Sequence, residues 1–461
     1  MIAMLLALVV TIWVAWLILK GYKPQTVLLF AGLLLMAAAM LLIPNTDFIS
    51  TKSLTAAQAT KSRWFDLFAY IRQIFSSRTA GLGLIIMSIA GFAKYMDSIG
   101  ASKALVHICV RPLAALRSPY LVLALGLIVG QFLAVFISSA SGLGLLLMVT
   151  MYPILIRLGV SPLSATAMIG TTQCLDLGPA SGNSALAAKT AGMDIIPYFT
   201  QHQLPVAIAV TITVAALHYI VQQAFDRKAG HIATYTPDPA PSASAHSDLP
   251  PLYYAILPII PLAIIFGSSS IFKMPYNVDI ITAMLVCVAI SMLCEYIRLK
   301  DAKKVFADLQ VFFDGMGVQF ATVITLIVAG EVFANGLIMT GAISGLIEGA
   351  KSLGLGGSVF IVVMTGIIAA AAVVMGSGNA PFFAFASLVP DVAKSVGVSA
   401  VSMILPMQFA SSIARSVSPI TAVIVAVSGV AGVSPVDVVK RTAIPMAGGM
   451  VVNLLASAIL M

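Results

Sequence analysis

Charged side chains are scarce in this sequence. Of its 461 residues, 25 are Lys or Arg and 17 are Asp or Glu, so only 9% of the chain is charged. Soluble globular domains contain roughly 25% charged residues. Hydrophobic residues make up 60% of the chain, which leaves too few polar groups to cover a water-soluble globule of this length. The composition excludes a soluble fold and predicts an all-α polytopic membrane protein.

Cysteine and histidine are also rare. The four cysteines form no CxxC pair, and the five histidines lie far apart in the sequence. We therefore expect no disulfide framework, no metal site and no cofactor. The hydrolase motif GxSxG and the metalloprotease motif HExxH are absent from the sequence. Their absence argues against an intramembrane enzyme.

Long apolar runs are what the chain has in abundance. Stretches that could each cross a bilayer occupy residues 2–19, 26–43, 79–98, 203–223, 252–268, 278–297, 317–338 and 442–461. Between the two halves lies a polar, Pro-rich and Ala/Ser-rich linker at residues 224–251. Amphipathic stretches at 56–78, 102–116 and 301–315 are typical of helices in the membrane interface, or of ordinary loop helices.

The two halves resemble each other at a nearly constant offset of 240 or 241 residues. The matching pairs are Pro179 and Pro419, Gly192 and Gly432, Pro205 and Pro445, and Phe92 and Phe333. The repeat predicts five spans plus one re-entrant hairpin in each half, 1–223 and 252–461. An odd number of crossings inverts the second half relative to the first, as in secondary transporters with inverted repeats. Most basic residues then lie on the side of the linker, which predicts a cytoplasmic linker.

The hairpins are predicted at 119–158 and 357–396, with small and polar residues at their tips. The candidate binding residues at the tips are Ser139, Ser141, Gly142, Ser377, Gly378 and Asn379. Irregular backbone at membrane depth is tolerated where it is buried in protein or lines a cavity. Ser141 and Asn379 are expected to cap the returning helices, whose N-termini favour anions. Two such tips suit a dicarboxylate; the alternative is close helix packing through small residues.

Two broken spans, at 161–191 and 399–431, repeat this arrangement. Their candidate binding residues are Thr171, Thr172, Ser181, Asn183, Ser416, Ser418 and Thr421. Arg415 is a charge among apolar and hydroxyl residues, and its planar guanidinium suits a carboxylate bidentately. We expect it to clamp the substrate; the alternative is a structural ion pair with Asp176. Asp176 could instead take a coupling proton or cation.

Two further charges lie in repeat-related helices. Glu331 and Lys94 are expected either to pair with each other or to lie near a membrane interface. His218 is expected to be a satisfied interfacial histidine rather than a proton relay. None of these residues is placed in the binding site.

Several long stretches carry a family resemblance. They include SSASGLGLLLMVT, VFFDGMGVQFA, VVMGSGNAPFFAFASLVP and VSPITAVIVAVSGVAGVSPVDVVKRTAIPM. Through these and nearly all other residues the chain resembles the anaerobic C4-dicarboxylate exchanger family of the DcuC type, closest to its cryptic DcuD-like branch. The resemblance implies an inner-membrane carrier for succinate, fumarate and malate that acts by exchange or proton-coupled transport. It also implies a place in the ion-transporter superfamily, whose members resemble dimeric elevators with two opposed hairpins.

One departure from that superfamily bears on the coupling ion. Its sodium-coupled dicarboxylate members carry a Ser-Asn-Thr triplet at each hairpin tip. Here the corresponding residues are Ser-Ala-Ser at 139–141 and Ser-Gly-Asn at 377–379, which argues against sodium coupling. The alternative function is a cation/proton antiporter on the same scaffold, with Asp176 as the coupling carboxylate and Arg415 as its structural partner. A channel is a further alternative.

Overall fold

The computed structural model describes residues 2–43, 48, 53–55, 58–234, 250–268, 278–352 and 356–461. All regular secondary structure in these ranges is helical. The helices of the first half are α1 (Ile2–Leu19), α2 (Pro24–Leu42), α3 (Arg63–Arg78), α4 (Leu84–Ser98), α5 (Ala101–Val110), α6 (Pro119–Ala134), α7 (Ala140–Thr150), α8 (Tyr152–Arg157), α9 (Pro162–Gly170), α10 (Gly182–Thr190), α11 (Ile195–Pro197) and α12 (Leu204–Lys228).

The second half is also built of helices. Its helices are α13 (Ile260–Gly267), α14 (Ile280–Leu299), α15 (Ala302–Gln319), α16 (Thr325–Met339), α17 (Ala342–Ser352), α18 (Gly357–Met375), α19 (Asn379–Phe385), α20 (Val389–Val396), α21 (Ala400–Arg415), α22 (Ala422–Ala431) and α23 (Pro435–Leu460). Three π-helical turns, at Thr79–Gly83, Tyr198–Gln203 and Phe320–Ile324, join neighbouring α-helices without a break.

Seven helical segments in the described part of the chain are long and apolar enough to cross a membrane. They are Pro24–Leu42, Arg63–Ser98, Ile195–Lys228, Ile280–Leu299, Ala302–Met339, Gly357–Met375 and Pro435–Leu460. Large apolar side chains stay exposed on their outer faces, among them Phe30, Ile212, Leu293 and Val363. Such faces need lipid rather than water as their solvent. The prediction of an all-helical polytopic membrane protein is confirmed.

Two of these segments are much longer than the sequence predicts. Arg63–Ser98 has 36 residues and Ala302–Met339 has 38, each with a π turn near its middle. At about 1.5 Å per residue, a helix of this length exceeds the roughly 30 Å hydrocarbon core. The expected amphipathic stretches at 56–78 and 301–315 are therefore not separate helices. From residues 63 and 302 onward they form the N-terminal parts of these long helices.

The bounds of two further segments differ from expectation. Helix α12 continues to Lys228, so the helix includes the first five residues of the expected linker at 224–251. Residues 235–249 of that linker lie outside the described ranges. The expected uninterrupted span at 252–268 is instead a 3₁₀ turn, Leu252–Ile256, followed by the short helix α13. Prolines at 251, 258 and 261 lack the N–H that a continuous helix needs.

Glycines allow the closest helix crossings. Helix α2 packs along α16, and a Cβ on Gly32 would lie 2.7 Å from the backbone nitrogen of Phe333. Helix α4 packs along α15, and a Cβ on Gly91 would lie 2.7 Å from the carbonyl oxygen of Phe312. Small residues at such crossings let helix backbones approach in a membrane, where apolar burial adds little between helices.

Glu331 does not pair with Lys94. Both Glu331 oxygens accept from the guanidinium of Arg78, at the end of α3, and the Nε to Oε2 distance is 2.7 Å. Lys94 is exposed on α4. The bidentate pair joins the first long helix to the second, because Glu331 belongs to α16.

The glycine crossing gives a prediction. Gly32→Ala is expected to lower stability by about 1–3 kcal/mol, because the new methyl group meets backbone that cannot move aside. Gly317→Ala is the matched control, since no atom lies within 4 Å of its Cβ position and alanine favours the helix. Thermal unfolding of the purified variants in detergent measures both. Equal midpoints for the two variants would contradict the assigned crossing.

Candidate anion-binding site

The first broken span unwinds between α9 and α10. Residues 171–181 are not helical, and all of them except Asp176 are buried. Backbone N–H and C=O groups that leave a helix at membrane depth must bond to other protein groups, because lipid offers no hydrogen bonds. The protein must therefore supply hydrogen-bond partners for the backbone groups of residues 171–181.

Buried glutamine side chains supply several of these partners. The Gln131 amide, on α6, donates to the Leu175 carbonyl at 2.8 Å and accepts from the Leu175 N–H at 3.2 Å. The Gln203 amide, at the end of the π turn before α12, accepts from the Gly178 N–H at 3.3 Å. These amides replace the hydrogen bonds that the helix has lost.

Gln408, on α21, joins the second half of the chain to this break. Its Nε2 donates to the Asp176 carbonyl at 2.8 Å and to the Ser184 hydroxyl at 3.2 Å. Its Oε1 accepts from the Tyr198 hydroxyl at 2.8 Å and from the Gln203 amide at 3.0 Å. Both ends of this buried amide are used fully, so its orientation is fixed.

The second broken span unwinds between Arg415, where α21 ends, and Ala422, where α22 begins. The Thr421 hydroxyl donates to the Arg415 carbonyl at 2.6 Å, and the Ser416 hydroxyl donates to the Ser412 carbonyl at 3.2 Å. These two predicted binding residues therefore hold the local backbone through their hydroxyls.

The first hairpin tip lies between α6 and α7. The exposed Ser139 caps α7 by accepting from the Gly142 N–H at 3.1 Å. The expectation that Ser141 caps this helix is wrong, because Ser141 is already in its first turn. Just before the tip, the Ile137 carbonyl accepts from the Gln173 amide at 3.1 Å, which ties the tip to the first break.

The second hairpin tip lies between α18 and α19. Gly378 occupies the N-cap position of α19, so the expectation that Asn379 caps this helix is wrong, and the Ser377 hydroxyl accepts from the Ala380 N–H at 3.4 Å. Asn379 is the first residue of α19, and its Oδ1 accepts from the Asn183 amide at 3.0 Å. This contact brings the second tip to the first broken span, where Asn183 belongs to α10.

Gly378 lets the second tip lie directly on Arg415. A Cβ on Gly378 would lie 3.1 Å from the Arg415 Cδ and 2.7 Å from the Ser411 carbonyl oxygen. The Arg415 guanidinium in turn donates through Nη2 to the Gln173 carbonyl at 3.0 Å. Arg415 therefore lies where the second tip and both breaks meet. Its acceptor residue, Gln173, is also the residue whose side chain bonds to Ile137 beside the first tip.

Arg415 is a buried cation that no carboxylate in the described part of the chain contacts directly, and Asp176 interacts with it electrostatically from beyond hydrogen-bond distance. The Arg415 side chain is 8% exposed, and no carboxylate lies within 4.0 Å of it in the described part of the chain. The Gln173 carbonyl is its hydrogen-bond acceptor. Its Nε and Nη1 atoms make no hydrogen bond within the described part of the chain, and protein atoms do not enclose them completely. A buried, unpaired charge is strongly unfavourable, so the site favours an anion.

Asp176 is bonded to neutral groups. Its two carboxylate oxygens accept from the Ser181 hydroxyl at 2.5 Å and from the Asn183 amide at 2.9 Å. Because no basic side chain in the described ranges is within ion-pair distance, the alternative of a direct pair with Arg415 is wrong for this structure. The two charges therefore attract each other without direct contact.

Enclosed polar atoms without partners surround the two breaks. They are Oε1 of Gln173, Oδ1 of Asn183 and the hydroxyls of Ser412 and Ser418. Most buried polar atoms are hydrogen-bonded, because an unsatisfied one costs free energy. The region therefore has hydrogen-bonding capacity that the described protein groups do not use.

The remaining predicted residues are dispersed. The Thr172 hydroxyl donates to the Ile169 carbonyl at 2.8 Å, and Thr171 bonds to its own helix and to His218. In the described part of the chain, Ser139, Ser141 and Gly142 make no hydrogen bond to Arg415. Gly142 instead lines a cavity of about 420 Å³ together with Asp97, Ser102 and Lys103.

Sequence reasoning missed the glutamines that hold the first break. They are Gln131, Gln173, Gln203 and Gln408. A signal was present, because LIVGQFLAV and LPMQFASS each place one amide in an apolar run at membrane depth. An amide there needs partners as much as a charge does.

Comparisons with known proteins agree with this architecture. The sequence profile of the C4-dicarboxylate anaerobic carrier family, DcuC, matches residues 2–461. The probable anaerobic C4-dicarboxylate transporter DcuC of Vibrio cholerae is 35% identical over 462 residues, covering 100% of this chain and 98% of that protein. The DcuC transporter of Escherichia coli K12 is 36% identical over 458 residues, covering 99% and 96%.

Solved transporter structures share the fold. MtrF of Neisseria gonorrhoeae, described as illuminating a class of antimetabolite efflux pumps, aligns with a TM-score of 0.62 at 12% identity, covering 95% of this chain and 94% of its own. The YdaH transporter of Alcanivorax borkumensis aligns with a TM-score of 0.53 at 15% identity, covering 92% and 97%. The chain is a multi-pass carrier of the bacterial inner membrane rather than an enzyme, and it belongs to the C4-dicarboxylate anaerobic carrier family DcuC.

Proposed function

We propose that this protein is a secondary transporter that moves the C4-dicarboxylates succinate, fumarate and malate across the inner membrane, by exchange or by proton-coupled transport. The full-length similarity to proteins named as C4-dicarboxylate transporters supports the substrate class. The single observation that carries the proposal is Arg415, a buried cation that contacts one carbonyl and no carboxylate of the described ranges.

One substrate carboxylate binds the Arg415 guanidinium. Two of its nitrogens have no acceptor among the residues that the structure describes, and a planar fork of N–H donors matches a carboxylate bidentately. The other carboxylate binds donors of the second hairpin tip, namely the Ser377 hydroxyl and the Asn379 amide, whose Nδ2 has no acceptor in the described part of the chain. A substrate with two anionic ends fits such a divided site better than a monocarboxylate does.

The transport unit is proposed to be an inverted repeat of five spans plus one hairpin in each half, working as an elevator and as a homodimer. The positions of the long helices support the repeat. The π turns begin at Thr79 and Phe320, and the helices after them begin at Leu84 and Thr325, all at the offset of 241 that relates Phe92 to Phe333. The family resemblance supports the elevator and the dimer.

Arg415→Ala is expected to lower succinate uptake about 100-fold or more, because a charged hydrogen-bonding partner of the substrate is removed. Arg415→Lys keeps the charge but loses the fork, so an intermediate loss is expected. The measurement is uptake of labelled succinate into proteoliposomes preloaded with fumarate or left empty, with and without sodium. Arg72→Ala, which removes an exposed arginine from α3, is the matched control.

Wild-type uptake that needs internal fumarate and ignores sodium would support exchange. Arg415→Ala protein that assembles normally and keeps the wild-type KM would overturn the clamp. Uptake of no dicarboxylate by the wild type would overturn the proposed substrate class while leaving the family and fold unchanged.

Asp176 is proposed as the coupling carboxylate, because its oxygens bond to Ser181 and Asn183 and not to a basic side chain. Asp176→Asn is expected to preserve fumarate–succinate exchange within about threefold while abolishing uptake driven by a proton gradient, since the amide cannot take up a proton. Uptake with and without an imposed pH gradient separates the two. Asp194→Asn, at an exposed loop position, is the matched control.

A different outcome would favour the cation/proton antiporter. In that case Asp176→Asn would abolish cation-driven proton movement in dye-loaded vesicles, and the wild-type signal would not depend on added dicarboxylate. No dependence of transport on the proton gradient in the wild type would remove the coupling role of Asp176.

A further inference from the structure

A second buried charge cluster lies away from Arg415. Asp226, near the end of α12, is 0% exposed and pairs with Arg441 of α23, which is 6% exposed. The Tyr120 hydroxyl donates to Asp226 Oδ2 at 3.0 Å, and the Ser161 hydroxyl donates to Oδ1 at 2.7 Å. The carboxylate is therefore fully satisfied by side chains of α6 and α23 and by the residue before α9.

A chain of hydrogen bonds runs from this pair to the first break. Arg441 donates to the Ser164 hydroxyl at 2.7 Å, and that hydroxyl lies 2.9 Å from its acceptor Asp226 Oδ1 and 3.2 Å from Gln222 Oε1. Gln222 Nε2 lies 3.2 Å from Nδ1 of His218, and Nε2 of His218 lies 3.0 Å from the Thr171 hydroxyl. All six side chains are buried.

The chemistry of this chain fixes the state of His218. Gln222 Nε2 also donates to the Arg441 carbonyl at 3.0 Å, and a carbonyl oxygen can only accept, so the Gln222 NH₂ end is identified. Nδ1 of His218 must then accept, which leaves its proton on Nε2. Nε2 donates to Thr171, whose hydroxyl donates to the Met168 carbonyl at 2.8 Å.

His218 is therefore held neutral. A second proton on Nδ1 would point at an N–H of Gln222, and both groups would lose a hydrogen bond in a fully buried place. The charged and titratable groups that the chain reaches on the packed helices are Tyr120 of α6, Asp226 of α12 and Arg441 of α23, and Asp226 and Arg441 already neutralise each other.

Thr171 stands at the end of α9, where the first break begins. Its hydroxyl closes the last turn of that helix, and two residues later the Gln173 carbonyl accepts from Arg415. Thr171 is thus two peptide units away from the Gln173 carbonyl, which accepts a hydrogen bond from Arg415, the proposed clamp.

We propose that His218 is a positioning residue for the substrate site, a permanently neutral hydrogen-bond donor that fixes Thr171 and so the first break. The inference rests on the proposed dicarboxylate transport and assigns to Thr171 a supporting role in place of direct substrate contact. It excludes His218 from any path of the coupling proton.

The test is a double-mutant cycle on succinate–fumarate exchange in proteoliposomes. His218→Leu and Thr171→Val are each expected to raise the KM for succinate about tenfold with little change in maximal rate, because each removes the same buried hydrogen bond. The double variant is expected to match either single variant. His218→Gln keeps a donor near the Nε2 position and is expected to stay within about threefold of the wild type.

The pH profile separates positioning from proton transfer. The His218→Gln profile is expected to have the same shape as that of the wild type. Loss of one limb of the profile in this variant would make His218 a proton carrier and overturn the proposal, as would additive effects in the cycle. His202→Gln, which alters the other histidine of the Ile195–Lys228 segment, is the matched control.

A second measurement does not need the substrate. Hydrogen–deuterium exchange of the peptide spanning residues 168–176 is expected to accelerate in Thr171→Val, which is nearly isosteric and preserves packing, and in His218→Leu where that variant folds. Unchanged exchange in Thr171→Val would overturn the proposal. If hydrogen–deuterium exchange is faster in Thr171→Val but the wild type transports no dicarboxylate, the proposed function is overturned and the assigned position of His218 stands.

Discussion

A backbone that leaves its helix inside a membrane has to find every hydrogen bond within the protein, and this constraint governs the centre of the structure. Both broken spans and both hairpin tips meet it with side chains. Gln131, Gln203 and Gln408 bond to the first break, and Thr421 closes the second. The polar residues of this protein are therefore concentrated inside it, while its outer surface is apolar. Once these residues are committed to the backbone, few polar groups remain for a ligand, and those few define the site.

Arg78, Arg415 and Arg441 are buried or half-buried, and their partners separate their roles. Arg78 faces Glu331, and Arg441 faces Asp226, so both charges are neutralised where they lie. Arg415 faces a carbonyl. Breaking a matched buried pair would mainly cost stability, whereas an unmatched cation has an unfavourable free energy that an anion relieves. Composition cannot distinguish these arginines, because the distinction depends on which helices touch.

The parts of the structure that depend on local pattern could be predicted from the sequence. Long apolar runs indicated the membrane helices, and clusters of Gly, Ser, Pro and Thr indicated the irregular segments around Arg415. Capping was predicted in the right loops but on the wrong residues, because Ser139, two residues before Ser141, caps α7, and Ser377, two residues before Asn379, accepts from the Ala380 N–H. The separation of Asp176 from Arg415 and the pairing of Arg78 with Glu331 depend on contacts across more than 200 residues, which a single sequence does not encode visibly.

The four hydrogen bonds of Gln408 have a mechanical consequence. They fasten α21, α10, the first break and the π turn before α12 to one amide, with no spare donor or acceptor to allow a gradual slide. Pulling these segments apart would leave several polar groups without partners in a dry interior at once, whereas moving them together would keep all four of these hydrogen bonds. Any displacement of α21 is consequently expected to carry α10, the first break and the π turn with it as one rigid unit.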